Sequence, residues 1–198
     1  GKMDNPARFV QILDEAALAE GFPGVRVFAV RNFACDVDDN TLHSYGIEDI
    51  VDFQPNNTEY PRRSLFGKGM RFLQRCWNSL ARKAGLPQVN SVLRLKYNDV
   101  ARNALALYGT LGQNHYPTVF PNWDNSPRRK AATVIQNDNP EDFARWVSEA
   151  ASIVRKRPER NQFLFVNAWN EWAESAHLEP ERKYGDAFLK AFKEGISK

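Results

Sequence analysis

Residues 163–180 read FLFVNAWNEWAESAHLEP, and this stretch decides how the rest of the chain is interpreted. Its first four residues are apolar, which is typical of a short strand that is buried on both faces. Carboxylates, amides and indoles follow at once. In parallel α/β sheets, ligands bind at the carboxyl ends of the strands. The stretch therefore predicts a parallel sheet with a site immediately after residue 166.

The polar residues of this stretch suit a carbohydrate. Indole faces cover the apolar faces of sugar rings, amides and carboxylates bond the hydroxyls, and a carboxyl pair moves protons at the glycosidic oxygen. The candidate catalytic pair is Glu171 and Glu174. The candidate substrate-binding residues of the stretch are Asn167, Trp169, Asn170, Trp172 and Glu179.

The spacing of the two glutamates fits this interpretation if they lie on a helical turn. Their Cβ atoms would then be about 5–6 Å apart. Retaining glycosidases hold their two carboxyl groups about 5–5.5 Å apart. The alternative is structural: both glutamates cap or pair with the start of the next helix.

A second polar block, WDNSPRR at residues 123–129, follows the strand predicted at 116–121. It adds Trp123, Asp124, Asn125 and Arg128 to the candidate substrate-binding residues. Arg128 and Arg129 have the geometry to bind a phosphate or an acidic sugar. The alternative is that Asp124 and Arg128 pair with each other and brace the loop.

The two blocks together resemble the signatures of the WbsX-type glycosyltransferase domain. NAWNEWAE at 167–174, LEP at 178–180 and the Tyr-Gly pair at 184–185 resemble its C-terminal signature, and WDNSPRR resembles the other. That family is similar to glycoside hydrolase family ninety-nine, the endo-α-mannosidases. The resemblance covers most of the chain, more loosely outside the blocks.

The resemblance implies a role for each glutamate. In the related mannosidases, the first glutamate of the motif acts as base on the sugar 2-hydroxyl, and its position matches Glu171. The second is the general acid and base at the glycosidic oxygen, and its position matches Glu174. Three neighbours depart from the family pattern: Ala173 replaces the His of the mannosidases, Ser175 replaces the usual Gly, and Glu181 replaces the usual Asp.

Composition is that of a globular domain. The 198 residues include 42% hydrophobic and 26% charged residues, enough for one domain with a core. No stretch approaches the ~20 apolar residues of a membrane span, and no signal peptide is visible. These features favour a cytoplasmic protein. Its two cysteines form no Cys-x-x-Cys motif, and His43, His115 and His177 lack metal-ligand spacing, so the sequence predicts no metal and no cofactor.

The basic excess is local. The chain has a net charge of +3, and residues 61–83 contain no acid but seven basic residues: Arg62, Arg63, Lys68, Arg71, Arg75, Arg82 and Lys83. Without these seven, the acidic residues are in excess, which argues against a nucleic-acid-binding protein.

The same segment has an apolar stripe at helical spacing, formed by Leu65, Phe66, Met70, Leu73, Trp77 and Leu80. Residues 61–96 are therefore interpreted as a basic helical insertion. Its apolar stripe either packs on its own domain, which is the favoured interpretation, or lies on an anionic membrane surface through residues 61–83.

Strands and helices alternate along the chain, which predicts an α/β fold with a largely parallel sheet. The predicted strands are 25–30, 50–54, 116–121 and 163–167. One helix starts at Asn5-Pro6 and another at Asn139-Pro140, where an N-cap residue precedes proline. The apolar residues of the first helix are interpreted as a core face: Phe9, Ile12, Leu13, Ala16 and Ala17. Further helices are predicted at 97–108 and from about residue 184, and no internal repeat is apparent.

Four strands are half of a (β/α)₈ barrel, which needs eight strands and usually about 250 residues. The chain, taken as a single domain over 1–198, resembles the C-terminal half of the WbsX and family ninety-nine barrel. Such a half leaves two open sheet edges and an exposed inner face. The sequence predicts that self-association, a missing N-terminal half or rearranged helices cover them.

The functional expectation is a carbohydrate-active enzyme, a glycosyltransferase or a glycoside hydrolase. It would act on a sugar donor or an oligosaccharide, of surface-polysaccharide or mannose type, in bacterial lipopolysaccharide or polysaccharide assembly. The sequence contains neither an Asp-x-Asp motif nor a Gly-rich phosphate loop, which argues against a metal-held nucleotide sugar. The alternative is a non-catalytic half-barrel that binds carbohydrate or serves in assembly.

Overall fold

The computed structural model describes residues 4–31, 37–55, 65–87, 89, 91–129 and 131–198. Within them the helices are α1 (Pro6–Ala19), α2 (Asp39–Ser44), α3 (Leu65–Lys83), α4 (Tyr97–Tyr108), α5 (Pro140–Val154) and α6 (Ala187–Ser197). The strands are β1 (Phe28–Arg31), β2 (Asp49–Asp52), β3 (Ser91–Lys96), β4 (His115–Val119), β5 (Trp123–Asp124), β6 (Ala131–Gln136), β7 (Phe165–Val166), β8 (Asn170–Glu171) and β9 (Ala176–His177).

The main sheet has four parallel strands in the order β1-β2-β4-β7, flanked by helices. This is half of a (β/α)₈ barrel, and it confirms the predicted fold class and the four predicted strands. The observed strands are shorter than the predicted ones. The expectation of a final strand buried on both faces is wrong, because Phe165 and Val166 are only half-buried. The reason is that β7 is an edge strand, which pairs only with β4 among the described residues.

A second sheet, β3-β6-β5, was not predicted. β3 pairs in parallel with all six residues of β6, and β5 pairs antiparallel with β6. β3 lies at the end of the segment interpreted as a helical insertion, so that segment ends inside a sheet. Its sequence SVLRLK alternates apolar and basic residues only briefly, which is a weak signal for a strand.

The core lies between the main sheet and helices α4, α5 and α6. Phe120, which follows β4, contacts Trp146 of α5 and Tyr97 of α4 edge-on, with ring centroids 4.9 and 5.9 Å apart. The Tyr97 hydroxyl donates to the Phe120 carbonyl over 2.6 Å. These contacts fix the carboxyl end of β4, from which the WDNSPRR block leaves.

The opposite face of the sheet is aromatic. Phe28, Tyr116, Phe163 and Phe165 form a cluster of edge-on and tilted rings. Phe163 remains 41% exposed and Val30, two residues along β1 from Phe28, 50%. Val51, Tyr116 and Thr118 lie on the same face and are buried, so in the described residues this face is exposed only towards its edges, and what covers it stays a prediction.

An ion-pair network holds the amino ends of the strands together. Arg26 donates twice to Asp49, from Nε over 2.6 Å and from Nη2 over 2.7 Å, and Tyr116 donates to the same carboxylate over 2.6 Å. Burial and the bond to Asp49 raise the pKa of Tyr116 to about 12. Burial alone would raise the pKa of Asp49, but the bonds from Arg26 and Tyr116 hold it below its ordinary value.

Two predicted packing faces are wrong. α1 contains no buried residue, and Phe9, Ile12 and Leu13 are exposed rather than part of the core. In α3, Leu73, Trp77 and Leu80 are exposed, so they do not pack on their own domain as favoured from the sequence. The side chains of Leu65, Phe66 and Met70 lie outside the described residues. None of the described helices is long and apolar enough to span a bilayer.

Candidate active site

The chain leaves β7 at the carboxyl end of the main sheet and forms a small hairpin. β8 pairs antiparallel with β9, and a 3₁₀ turn at Trp172–Glu174 joins them. The backbone N–H of Leu178 donates to the Trp169 carbonyl over 2.9 Å and closes the loop. The hairpin therefore holds Glu171 and Glu174 at the edge of the sheet where parallel strands present their sites.

The two glutamates converge on one guanidinium. Nη1 of Arg128 lies 3.5 Å from Oε1 of Glu171 and 3.6 Å from Oε1 of Glu174. The Glu174 side chain is 15% exposed, whereas those of Glu171 and Arg128 are about half exposed. In the described residues neither glutamate caps the next helix. Arg128 reaches this pair rather than Asp124, whose Oδ1 accepts from the N–H of Ser126 over 2.8 Å.

Asn125 positions Arg128. Its buried side chain accepts a hydrogen bond from the N–H of Thr133 over 2.8 Å, which ties the loop to β6. Its carbonyl in turn accepts from the N–H groups of Arg128 and Arg129, over 3.1 and 3.0 Å. The block predicted from sequence thus turns back toward the glutamate hairpin. Trp123 is buried beside Phe120 in the core.

Two indoles flank the glutamates. Trp169 and Trp172 are both about half exposed. Trp172 donates from Nε1 to Oε2 of Glu179 over 2.7 Å and stacks on His177 with ring centroids 4.0 Å apart. Of the remaining predicted residues, Asn167 is buried and donates from Nδ2 to the Gln54 carbonyl over 3.0 Å, whereas Asn170 is exposed. Asn167 therefore links the start of the hairpin to the segment after β2.

A cavity of about 470 Å³ adjoins the hairpin through Ser175, the residue after Glu174. Two predicted residues, Trp123 and Asp124, line it. Its other lining residues are Asn122, Val134, Ile135, Gln136, Asn137, Asp138, Ser175, His177, Glu181, Lys183 and Tyr184. Small-molecule sites typically occupy about 300–1,000 Å³, so the size is that of a ligand pocket.

Several features mark this cavity as more than packing space. Both ring nitrogens of His177, the Trp123 indole N–H and Asn122 Oδ1 are buried and hydrogen-bond to none of the described groups. Asn137 and Ser175 adopt left-handed backbone conformations, with φ of 63° and 55°. Such conformations are uncommon for residues other than glycine and concentrate at functional sites.

Sequence reasoning missed Asp138, which lies in this cavity. Burial raises its pKa above the ordinary value of a carboxyl group, against the opposing effects of its own backbone N–H and of Lys183. A prediction of strand β6 would have pointed to Asp138, because this residue follows the carboxyl end of β6 and comes just before the Asn139 cap. Because β6 was not predicted, nothing directed attention to the residue.

Comparison with known proteins bears on these two blocks. The sequence profile of the family described as Glycosyltransferase WbsX matches residues 1–192. The chain belongs to the WbsX glycosyltransferase family. The match includes both the Arg128 loop and the glutamate hairpin, and it confirms the resemblance seen in the sequence. Family membership places the chain among carbohydrate-active proteins.

The individual relatives are partial matches. Two sequences named uncharacterized protein WxcX, from two strains of Xanthomonas campestris pv. campestris, are each 35% identical over 85 residues. That stretch covers 42% of this chain and 12% of WxcX. A solved structure described as a glycoside hydrolase-like protein aligns with a TM-score of 0.52 at 14% identity. It covers 99% of this chain and 51% of that one, so the likeness is one of fold, and this chain spans about half of its length.

The left-handed backbone conformation of Ser175 can be compared with the pattern of the WbsX family. The resemblance seen in the sequence implies glycine at this position, and glycine adopts φ near 55° without steric cost. The turn after Glu174 therefore keeps the backbone shape that glycine favours, although the side chain differs. Among the described residues, no three His, Cys, Asp or Glu side chains are grouped as they would need to be for holding a metal ion.

Proposed function

We propose that this chain carries a carbohydrate-processing site in which Glu171 and Glu174 transfer protons during cleavage or transfer of a glycosidic bond. The observation that carries the proposal is the shared contact with Arg128. Because one nitrogen lies 3.5 and 3.6 Å from the two Oε1 atoms, these atoms are at most about 7 Å apart. The carboxyl groups of retaining glycosidases are about 5–5.5 Å apart, which lies within this limit. Those of inverting glycosidases are about 6.5–9.5 Å apart, and only the shortest of these separations lie within it.

The surroundings of the two carboxyl groups divide their roles. In this proposal Glu174, the less exposed of the two, protonates the glycosidic oxygen and later takes the proton back. Glu171, which is more open to solvent, acts as the base on the sugar 2-hydroxyl, the role that the resemblance to the mannosidases implies for it. Arg128 attracts both carboxylates and keeps them close despite their mutual repulsion.

The adjoining cavity favours a neutral sugar. Asp124, Asp138 and Glu181 line it, against one basic residue, Lys183. An acidic sugar or a phosphate would meet an excess of like charge there. The exposed faces of Trp169 and Trp172 are suited to the apolar faces of further sugar rings. The proposed substrate is therefore a neutral sugar, and the resemblance to the WbsX and mannosidase families suggests mannose-type units of a bacterial surface polysaccharide.

The test compares three single variants: Glu171→Gln, Glu174→Gln and the control Glu159→Gln, an exposed glutamate that precedes β7. Turnover of a panel of neutral and acidic oligosaccharides is measured together with sugar binding by saturation-transfer NMR. Loss of proton transfer costs about 10²–10⁴-fold in rate, so the two site variants should lose turnover while Glu159→Gln keeps it.

The same panel decides between an enzyme and a binding module. If the wild-type protein binds a neutral glycan but no condition gives turnover, and both site variants bind it equally well, the chain is a non-catalytic binding module. If acidic glycans bind more tightly than neutral ones, the proposed substrate class is wrong. Melting temperatures should be unchanged, because neither glutamate contributes to the core.

A further inference from the structure

The clearest unexplained surface is the outward face of α3. Leu73, Trp77 and Leu80 are 62%, 49% and 65% exposed. They are spaced four and three residues apart, so they form one continuous row on the helix. Phe72, 67% exposed, lies beside this row. Large apolar side chains gathered in one exposed row mark an interaction surface more often than scattered single ones.

Next to this row, α3 has a side that is anchored to the rest of the chain. Ala81 is buried, and Asn78 is joined to Val89 by two hydrogen bonds of 2.8 Å, one in each direction. Asn78 and Ala81 are three residues apart and therefore share a face. Trp77, four residues before Ala81, borders this anchored face, and the exposed fractions of Leu73, Trp77 and Leu80 show that the row itself is open to solvent.

Charge identifies the kind of partner. Residues 61–83 contain seven basic residues and no acid, and Arg82 and Lys83 at the end of α3 are exposed. A helix that combines exposed aliphatic and indole side chains with clustered basic residues matches the boundary region of an anionic bilayer. A nucleic acid would use the charges but would leave the aliphatic row exposed to water.

We propose that α3 docks this protein onto an anionic membrane surface. Leu73, Trp77 and Leu80 enter the boundary between headgroups and acyl chains, and the basic residues of the segment attract the anionic headgroups. The surface shares no residue with the glutamate hairpin or its cavity, so the proposal stands or falls separately from the proposed function.

The experiment measures co-sedimentation of the purified protein with vesicles at low salt, about 50 mM, where exposed charges are least screened. Vesicles of phosphatidylcholine that contain one-third phosphatidylglycerol should sediment the protein. Binding to vesicles of pure phosphatidylcholine should be weaker by about tenfold or more. Binding should fall as salt is raised. No sedimentation with the anionic vesicles, or equal binding to both kinds, overturns the proposal.

Variants locate the contact. Trp77→Glu combined with Leu80→Glu should weaken binding on the order of tenfold or more, because it removes apolar area and adds negative charge. The matched control is Phe9→Glu with Ile12→Glu in α1. These two side chains are 44% and 48% exposed, but the sequence around them contains no cluster of basic residues. The control should bind like wild type. Equal loss in both double variants, or none in the α3 variant, overturns the assignment.

Two further readouts separate docking from other causes. Trp77→Phe should retain vesicle binding but lose part of the quenching of tryptophan fluorescence by brominated acyl chains. Arg82→Gln with Lys83→Gln should weaken binding to anionic vesicles by about fivefold per residue. A different outcome would overturn the proposal and identify the segment as a nucleic-acid contact. In that case wild type would not bind vesicles, and the Trp77→Glu/Leu80→Glu variant would still bind double-stranded DNA.

Discussion

α1 and α5 begin with the same sequence pattern but differ completely in burial. Both start with Asn-Pro, have phenylalanine three residues after the proline, and later contain Glu-Ala-Ala at the same distance, at 15–17 and 149–151. In both, the asparagine side chain accepts from the N–H three residues on. Yet α1 contains no buried residue, whereas Phe143, Trp146 and Val147 of α5 are fully enclosed.

α1 and α5 differ in burial because different helices follow them along the chain. α5 is covered by α6, whose Phe188 and Phe192 contact Phe143 with ring centroids 5.7 and 6.4 Å apart. The helix after β1 is α2, which has six residues and one buried side chain, Leu42. It is too short to cover α1 in the way α6 covers α5. An apolar stripe therefore defines which face of a helix is able to pack, and its neighbours decide whether it does.

The largest expected effect comes from the two equivalent phenylalanines. Phe143→Ala should lower the free energy of unfolding by about 3–5 kcal/mol, because it leaves a cavity between α5 and α6. Phe9→Ala should lower it by less than about 1 kcal/mol, because the side chain is already exposed. Urea denaturation of both variants measures the difference. Equal losses would mean that α1 is buried in solution, and light scattering would then show self-association.

The second effect tests how closely α6 approaches α5. A Cβ added to Gly195 would lie 2.7 Å from the Ala144 carbonyl oxygen and from the Val147 side chain. Gly195→Ala should therefore cost about 1–3 kcal/mol of unfolding free energy through overpacking. The control is Gly109→Ala at the end of α4, where the added Cβ meets only ordinary contacts of 3.6 Å or more. A neutral Gly195→Ala would show that the two helices are not tightly packed.

The third effect concerns the helix caps. Asn139 and Asp142 bond reciprocally: the Asn139 amide donates to the carboxylate and accepts from the Asp142 N–H, each over 2.8 Å. Within the described part of the chain, the side chain of Asn5 makes a single bond, which it accepts from the N–H of Arg8 over 2.9 Å. Asn139→Ala should cost about 1–2 kcal/mol and Asn5→Ala about 0.5–1 kcal/mol. Thermal or urea unfolding at neutral pH ranks the two, and the reverse order would contradict the cap geometry.

The smallest effect is the part of the pH dependence of stability that arises at the cap of α5. Burial alone would raise the pKa of Asp142, but hydrogen bonds from Asn139 and Asn98 and the charge of Arg145 hold it below its ordinary value. The folded pKa lies below the unfolded one, so this stabilisation is present at neutral pH. The stabilisation is lost as the pH falls from the unfolded pKa of an aspartate, about 3.9, through the lower pKa of the folded state.

Unfolding free energies of wild type and Asp142→Asn, measured from neutral to acid pH, test this. The two curves should differ at neutral pH and approach each other in acid. Asn5→Ala should show the same pH profile as wild type, because α1 has no acid in its first turn. Parallel curves for Asp142→Asn and wild type would contradict the assignment.

The candidate site was predictable from sequence to the extent that its residues are neighbours in the chain. The Glu171/Glu174 spacing and the WDNSPRR block were visible as local patterns. That Arg128 joins the two glutamates was not, because 43 residues separate it from Glu171 and the orientation of its loop depends on contacts with β6, such as that between Asn125 and Thr133. Asp138 and the cavity were missed because they depend on β6, whose pairing with β3 connects segments 40 residues apart.

The sequence by itself determined the α/β class, the four strands of the half-barrel, the helix starts at Asn5 and Asn139 and the family. These depend on local periodicity, caps and contiguous motifs, which the chain encodes over a few residues. Only the tertiary structure decided that α5 is enclosed while α1 and the apolar row of α3 are exposed, and that Arg128 lies between two carboxylates. Those outcomes depend on which segments meet, because burial is a property of the neighbours of a face as well as of its own residues.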